Sequence, residues 1–68
     1  MTTIEFYKDG AEHPLATVRD AGGVPREGDL INILTQTWQV RRVTWAVDHS
    51  NYPREATLRA NVDLALVS

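Results

Sequence analysis

The residues best suited to chemistry lie in the segment TWQVRRVTW, residues 37–45, where two tryptophans bracket two arginines. Indole rings stack on bases or fill apolar pockets, and guanidinium groups make planar contacts to carboxylates or phosphates. A tyrosine and another arginine, Tyr52 and Arg59, follow later in the chain and offer a further aromatic ring and a further guanidinium group. The predicted contact surface is therefore Arg41, Arg42, Trp38, Trp45, Arg59 and Tyr52.

Residues for catalysis are scarce. The serines, Ser50 and Ser68, stand in no nucleophile motif. The histidines are His13 and His49, and Asp48 beside His49 would point to the opposite face of a strand, so a solvated loop histidine is the expectation. No three or four metal ligands are spaced to converge, and GGVPREGD lacks the lysine of a phosphate-binding loop. We therefore predict no enzymatic activity, no cofactor and no metal.

Size and composition narrow the class of protein. The chain has 68 residues, no cysteine, 43% hydrophobic residues and a net charge of −2, which predicts one globular domain spanning residues 1–68. A negative net charge argues against a generic phosphate-binding surface. No apolar run has the length of a membrane span or, in residues 1–20, of a signal peptide. The expected location is the cytoplasm.

The two arginines coincide with a change of strand parity. Apolar residues hold one parity before them and the other parity after them: Trp38 and Val40, then Val43, Trp45 and Val47. A regular strand cannot bury both sets on one face, whereas a β-bulge inserts one residue and resets the alternation. A sharp bend from one face to the other is the alternative. Either geometry leaves Arg41 and Arg42 outside the core.

The rest of the chain also alternates with a period of two, which is typical of strands. Asp9-Gly10 is a hairpin signal, residues 20–29 form a loop, and residues 35–37 join two antiparallel neighbours. The final run could be helical by propensity, but its apolar residues step by two and favour a strand. Strands are predicted at residues 2–8, 14–19, 30–34, 38–47 and 57–67. The predicted fold is all-β, a small five-stranded antiparallel barrel or sandwich.

The stretch VPREGDLINI followed by WQVRRV resembles SH3-like small barrels, in which a turn with proline, glycine and an acidic residue leads into a strand and hairpin. The resemblance covers residues 24–47 and implies the fold alone. The chain lacks the acidic loop and aromatic groove of peptide-binding SH3 domains, so recognition of proline-rich peptides is not implied.

These observations predict a non-enzymatic protein-interaction module, in the style of a small prokaryotic or phage accessory protein. Its expected partner is another protein. If the final strand lies at a sheet edge, it would pair with its own copy, so we also expect a homodimer or larger assembly. The alternative function is single-stranded nucleic-acid binding through the same arginines and tryptophans.

Overall fold

The computed structural model describes residues 2–49 and 56–67, and their regular structure is entirely β. The strands are β1 (Thr2–Lys8), β2 (Ala16–Val18), β3 (Leu30–Ile33), β4 (Gln36–His49) and β5 (Ala56–Leu66). The all-β prediction is confirmed, and the final run is a strand rather than a helix. The observed β2 is shorter than the predicted range of residues 14–19, because its register with β1 runs only from Ala16 to Val18, whereas β4 is longer at both ends.

The strands form one sheet in the order β2-β1-β5-β4-β3, curled into a half-barrel. β1 and β5 are parallel, with Thr2 opposite Leu58 and Lys8 opposite Leu64. The prediction of a purely antiparallel sheet is therefore wrong, and the sheet is mixed. The physical reason is connectivity: no tight turn joins β1 to β5, so their relative direction is not constrained to that of a hairpin.

β5 is the central strand, paired with β1 on one side and with β4 on the other. The expectation that the final strand lies at an edge is wrong, because β1 pairs with the side of β5 that faces away from β4, from Leu58 to Leu64. A copy of the chain therefore cannot pair with β5 along that length without displacing β1.

β3 and β4 are antiparallel neighbours, as predicted, with Ile33 opposite Gln36. The turn between them consists of Leu34 and Thr35, one position earlier than the predicted polar linker. Leu34 has a φ of 56°, and its side chain is 95% exposed. A β-hairpin turn of this length requires positive φ, which a side chain with a Cβ adopts only at a cost.

One face of the curled sheet carries the core. The parallel register places Ile4 opposite Ala60 and Phe6 opposite Val62, so apolar side chains from both strands share that face. β4 adds Trp38 and Val40 from the other side of β5. The buried cluster consists of Ile4, Phe6, Trp38, Val40, Ala60, Val62 and Leu64. We call this side of the sheet the inner face.

Residues 19–29 connect β2 at one edge of the sheet to β3 at the other. The Ala21 N–H donates to the Thr2 carbonyl at 2.9 Å. At the far end, the Gly28 N–H donates to the Val40 carbonyl, and the Val40 N–H donates to the Asp29 carbonyl, both at 2.8 Å. Ala21 and Val24 pack against the core cluster, so this loop helps to cover the inner face that an open sheet leaves exposed.

Candidate binding surface on the second half of β4

A β-bulge at Arg41 determines which residues β4 presents to the inner face. Val40 lies opposite Leu64 and Arg42 opposite Asp63, which leaves Arg41 as the extra residue on β4. After the bulge, Val43 lies opposite Val62 and therefore shares the inner face with Val40. The predicted parity switch between the arginines is confirmed, and both arginines are exposed.

Beyond the bulge, the inner face is only partly covered. Trp45 lies opposite Ala60 and Val47 opposite Leu58, yet Trp45 is 50% exposed and Val47 53% exposed. Leu58 is also exposed. These side chains continue the apolar row of the core beyond Val43 and Ala60 toward the end of the sheet. We call the row of Trp45, Val47 and Leu58 the apolar arm.

The same half of β4 also has a backbone edge without a paired strand. β3 pairs with β4 only over residues 36–39, and the contacts of Gly28 and Asp29 extend this pairing to Val40. For residues 42–47, the described part of the chain supplies strand pairing on the β5 side alone. We call the other side of residues 42–47 the free edge.

The hydrogen-bond pattern shows which residues present polar groups at the free edge. The Leu64 carbonyl accepts from the Asp9 N–H on the β1 side, and Val40 directs its own N–H and C=O toward Asp29 and Gly28. Residues of β5 that face β1 therefore lie opposite residues of β4 that face away from β5. Val62 has the same parity as Leu64 and lies opposite Val43. The backbone N–H and C=O groups of Val43 therefore point to the free edge, as do those of Trp45 and Val47, which have the same parity.

A cleft of about 370 Å³ lies against these residues. Its walls are Val24, Pro25, Arg26 and Glu27 from the loop, with Val43 and Trp45 from β4. The loop wall is held by a tight turn, in which the Arg26 N–H donates to Asp29 Oδ2 at 2.8 Å and the Asp29 N–H donates to the Arg26 carbonyl at 3.0 Å. Gly28 supports this turn with a φ of 93°, which favours glycine.

The outer face of the sheet is polar and paired by charge. Arg59 Nε lies 3.3 Å from Glu5 Oε1, and Arg42 Nε lies 3.8 Å from Asp63 Oδ2. Tyr7 donates its hydroxyl to Glu5 Oε2 at 3.2 Å. Burial of the phenol, followed by the nearby Glu5 carboxylate, raises the pKa of Tyr7 above its ordinary value of 10.0. The arginine charges on this face therefore lie beside carboxylates.

The structure divides the six-residue contact surface predicted from the sequence. Trp38 is only 4% exposed and belongs to the core. Arg42 and Arg59 lie on the outer face and form ion pairs with carboxylates, while Trp45 lies on the inner face, so no face holds both tryptophans and the arginines. Arg41 is exposed at the bulge. Tyr52 lies outside the described residues, as do the side chains of Asp48 and His49.

The sequence prediction missed seven residues of this surface: Val47 and Leu58 of the apolar arm, and Val24, Pro25, Arg26, Glu27 and Val43 of the cleft. A sequence signal exists for the arm. The apolar alternation of β4 continues to Val47, beyond the residues that pair with β3, and that of β5 begins at Leu58. The cleft residues give no comparable signal, because their proximity to Trp45 depends on how the loop crosses the sheet.

Comparison with known proteins finds no matching family model and no significant match among curated proteins or solved structures. Within residues 2–49 and 56–67, no group of three or more histidine, cysteine, aspartate or glutamate side chains is placed to hold a metal ion. The same residues include no helix with the length and hydropathy of a membrane span. The fold and the surface therefore define a small mixed β-sheet domain with an uncovered apolar arm.

Proposed function

We propose that this chain is a non-enzymatic protein-interaction module that binds an extended segment of protein along the free edge of β4. The observation that carries the proposal is the coincidence of a half-exposed tryptophan with an unpaired strand edge. Strand addition obtains affinity from main-chain hydrogen bonds and specificity from pockets for alternate side chains. Val43, Trp45 and Val47 supply the main-chain groups, and the cleft beside Trp45 supplies a pocket.

Trp45 is the expected anchor. Tryptophan is among the residues enriched at binding hot spots because a large ring buries much area with few rotatable bonds. An exposed row of apolar residues on a small protein commonly marks a contact site. We expect the partner to cover Trp45, Val47 and Leu58, and we expect Arg41 to lie at the rim, where a charge contributes more to association rate than to affinity.

The proposal also assigns the fold to the SH3-like small barrels and the protein to the cytoplasm. We infer an SH3-like relationship from the bulged β4 and the turn that leads into β3, to be tested by comparison with an experimental structure of this chain. A cysteine-free chain suits the reducing cytoplasm, and a prokaryotic or phage accessory protein remains the proposed context.

Nucleic-acid binding is less well supported, because Trp45 and the paired arginines Arg42 and Arg59 lie on opposite faces.

The test uses a photo-crosslinking phenylalanine analogue placed at position 45 in the full chain, expressed in its native host. Leu30 is the matched control position, since it is 64% exposed but points to the outer face. We expect a discrete protein adduct from position 45 and none from position 30. Equal adducts at both positions, or adducts to nucleic acid at position 45, would contradict the proposal.

A further inference from the structure

We propose that the segment bound at the free edge is residues 43–47 of a second copy of the chain, so that two β4 strands pair antiparallel about a two-fold axis at Trp45. This inference rests on the proposed function and names its partner. The argument begins with the free edge, where Val43, Trp45 and Val47 direct their N–H and C=O groups away from β5. An antiparallel copy centred on Trp45 presents the same groups in return.

The side chains of β4 are self-complementary in this register. Val43 lies opposite Val47 of the copy, Trp45 opposite its own copy, and Thr44 opposite Ala46. The sequence VTWAV is nearly a palindrome by residue class, with valine at both ends and small residues on either side of the ring. All three inner-face residues of one strand then meet inner-face residues of the other, so the apolar arm becomes continuous across the axis.

The lack of edge protection favours the same occupant. Natural sheet edges usually carry lysine, proline or a bulge that discourages pairing. Residues 43–47 contain neither residue type, and the bulge lies before them at Arg41. An edge of this kind is expected to be covered.

The cleft gives the second ring a place to lie. It borders Val43 and Trp45 on the inner face, and its loop wall includes the apolar residues Val24 and Pro25. In the paired register, the ring of the copy's Trp45 enters the region beside the cleft, and the symmetry makes the contact reciprocal. An isologous contact of this type closes at two copies and does not propagate into a fibre.

Cysteine crosslinking tests the register directly, because the natural chain has no cysteine. Thr44 and Ala46 form a pair without mutual hydrogen bonds across the axis, with a Cα separation of ~4.5 Å that permits a disulfide. Thr44→Cys and Ala46→Cys chains are mixed in equal amounts in a glutathione redox buffer, and intact mass distinguishes the three disulfide species. We expect the ratio of the mixed disulfide to either homodimeric disulfide to be at least about fivefold higher than its statistical value.

The matched control mixes Thr44→Cys with Thr3→Cys, whose thiol would lie on the outer face of β1, away from the axis. That pair should give only the statistical yield. A mixed species from Thr44→Cys and Ala46→Cys that is no more abundant than in the control would overturn the register.

Sedimentation equilibrium tests whether the dimer exists and depends on the free edge. Val47→Pro removes an N–H that faces the free edge, whereas Val47→Ala keeps it. We expect Val47→Pro to weaken the dimer about 30-fold, since symmetry removes two hydrogen bonds, and Val47→Ala to weaken it less. Equal weakening by the two variants would overturn the strand pairing.

The outcomes also separate this inference from the proposed function. A natural chain that stays monomeric at about 100 µM overturns the second-copy inference. If position 45 still crosslinks to a different protein, the interaction module stands with another partner. If the chain is monomeric and position 45 gives no protein adduct, both proposals fail.

Discussion

Deleting Arg41, the extra residue of the bulge, should destabilise the protein far more than truncating its side chain to alanine. Deletion of Arg41 would restore simple alternation in β4, which moves Val43, Trp45 and Val47 to the outer face and brings Arg42, Thr44 and Ala46 over the core. The register in which Val43 meets Val62 and Trp45 meets Ala60 would be lost. The deletion changes one residue in the sequence but reverses the inner side of the remaining strand.

The expected magnitude follows from burial. An indole covers about 200 Å² in all, so the half of Trp45 that is buried accounts for about 100 Å², or roughly 2.5 kcal/mol at ~25 cal/mol per Å². Partial burial of Val43 adds about 1 kcal/mol. The sum of about 3–4 kcal/mol approaches the ~3–5 kcal/mol that a core of this size supplies. The deletion variant is therefore expected to be largely unfolded at room temperature.

The assay is urea unfolding followed by far-ultraviolet circular dichroism, with Arg41→Ala as the control. The control keeps the residue count of β4 and removes only an exposed side chain, so its free energy of unfolding should lie within about 0.5 kcal/mol of the natural chain. If the deletion variant unfolds with a free energy as close to the natural value as that of Arg41→Ala, the bulge does not set the faces of β4 and the reasoning fails.

Three further predictions concern individual residues. Leu34→Gly should raise the free energy of unfolding by about 1 kcal/mol, because the exposed Leu34 has a φ of 56° and loses no packing, and a thermal midpoint that fails to rise would contradict this. The pKa of Tyr7 is raised in the folded chain, so the contribution of its neutral hydroxyl to stability is complete below pH 10 and is lost as the pH rises through the folded pKa. The difference in free energy of unfolding between the natural chain and Tyr7→Phe should therefore shrink in alkaline unfolding experiments. A difference that stays constant with pH would refute this. Arg42→Ala should change stability by less than about 0.5 kcal/mol in chemical denaturation, since the Arg42 side chain is 76% exposed and its ion pair with Asp63 spans 3.8 Å; a loss of several times that size would show that the pair is not a surface interaction.

The local pattern of residues was sufficient to predict the strands and the change of parity within β4. Alternation with period two depends only on the pleat of a single strand, which is why β1, β4 and β5 were identified close to their observed bounds. The parity change on either side of Arg41 and Arg42 is likewise a property of consecutive residues. It predicted that the two arginines lie outside the core, with a bulge or a sharp bend as the alternative geometries.

The candidate surface depended on information that no single strand contains. Trp38 and Trp45 share an inner face and similar neighbours in the sequence, yet one is buried and the other half exposed. The difference arises because β3, Gly28 and Asp29 pair with β4 only as far as Val40, whereas loop residues 24–27 meet Trp45 across an open cleft. Which strand lies beside which half is decided by pairing between residues far apart in the chain.

The sequence by itself therefore determined that the chain is all-β, that its final run is a strand, and where β4 changes parity, because these follow from side-chain alternation over a few residues. Only the tertiary structure decided that β5 is central and parallel to β1, that Trp38 is buried, and that the uncovered edge belongs to β4. Strand order and direction depend on the total burial achieved by the whole sheet, and the alternation of β1 and β5 is compatible with either direction of pairing.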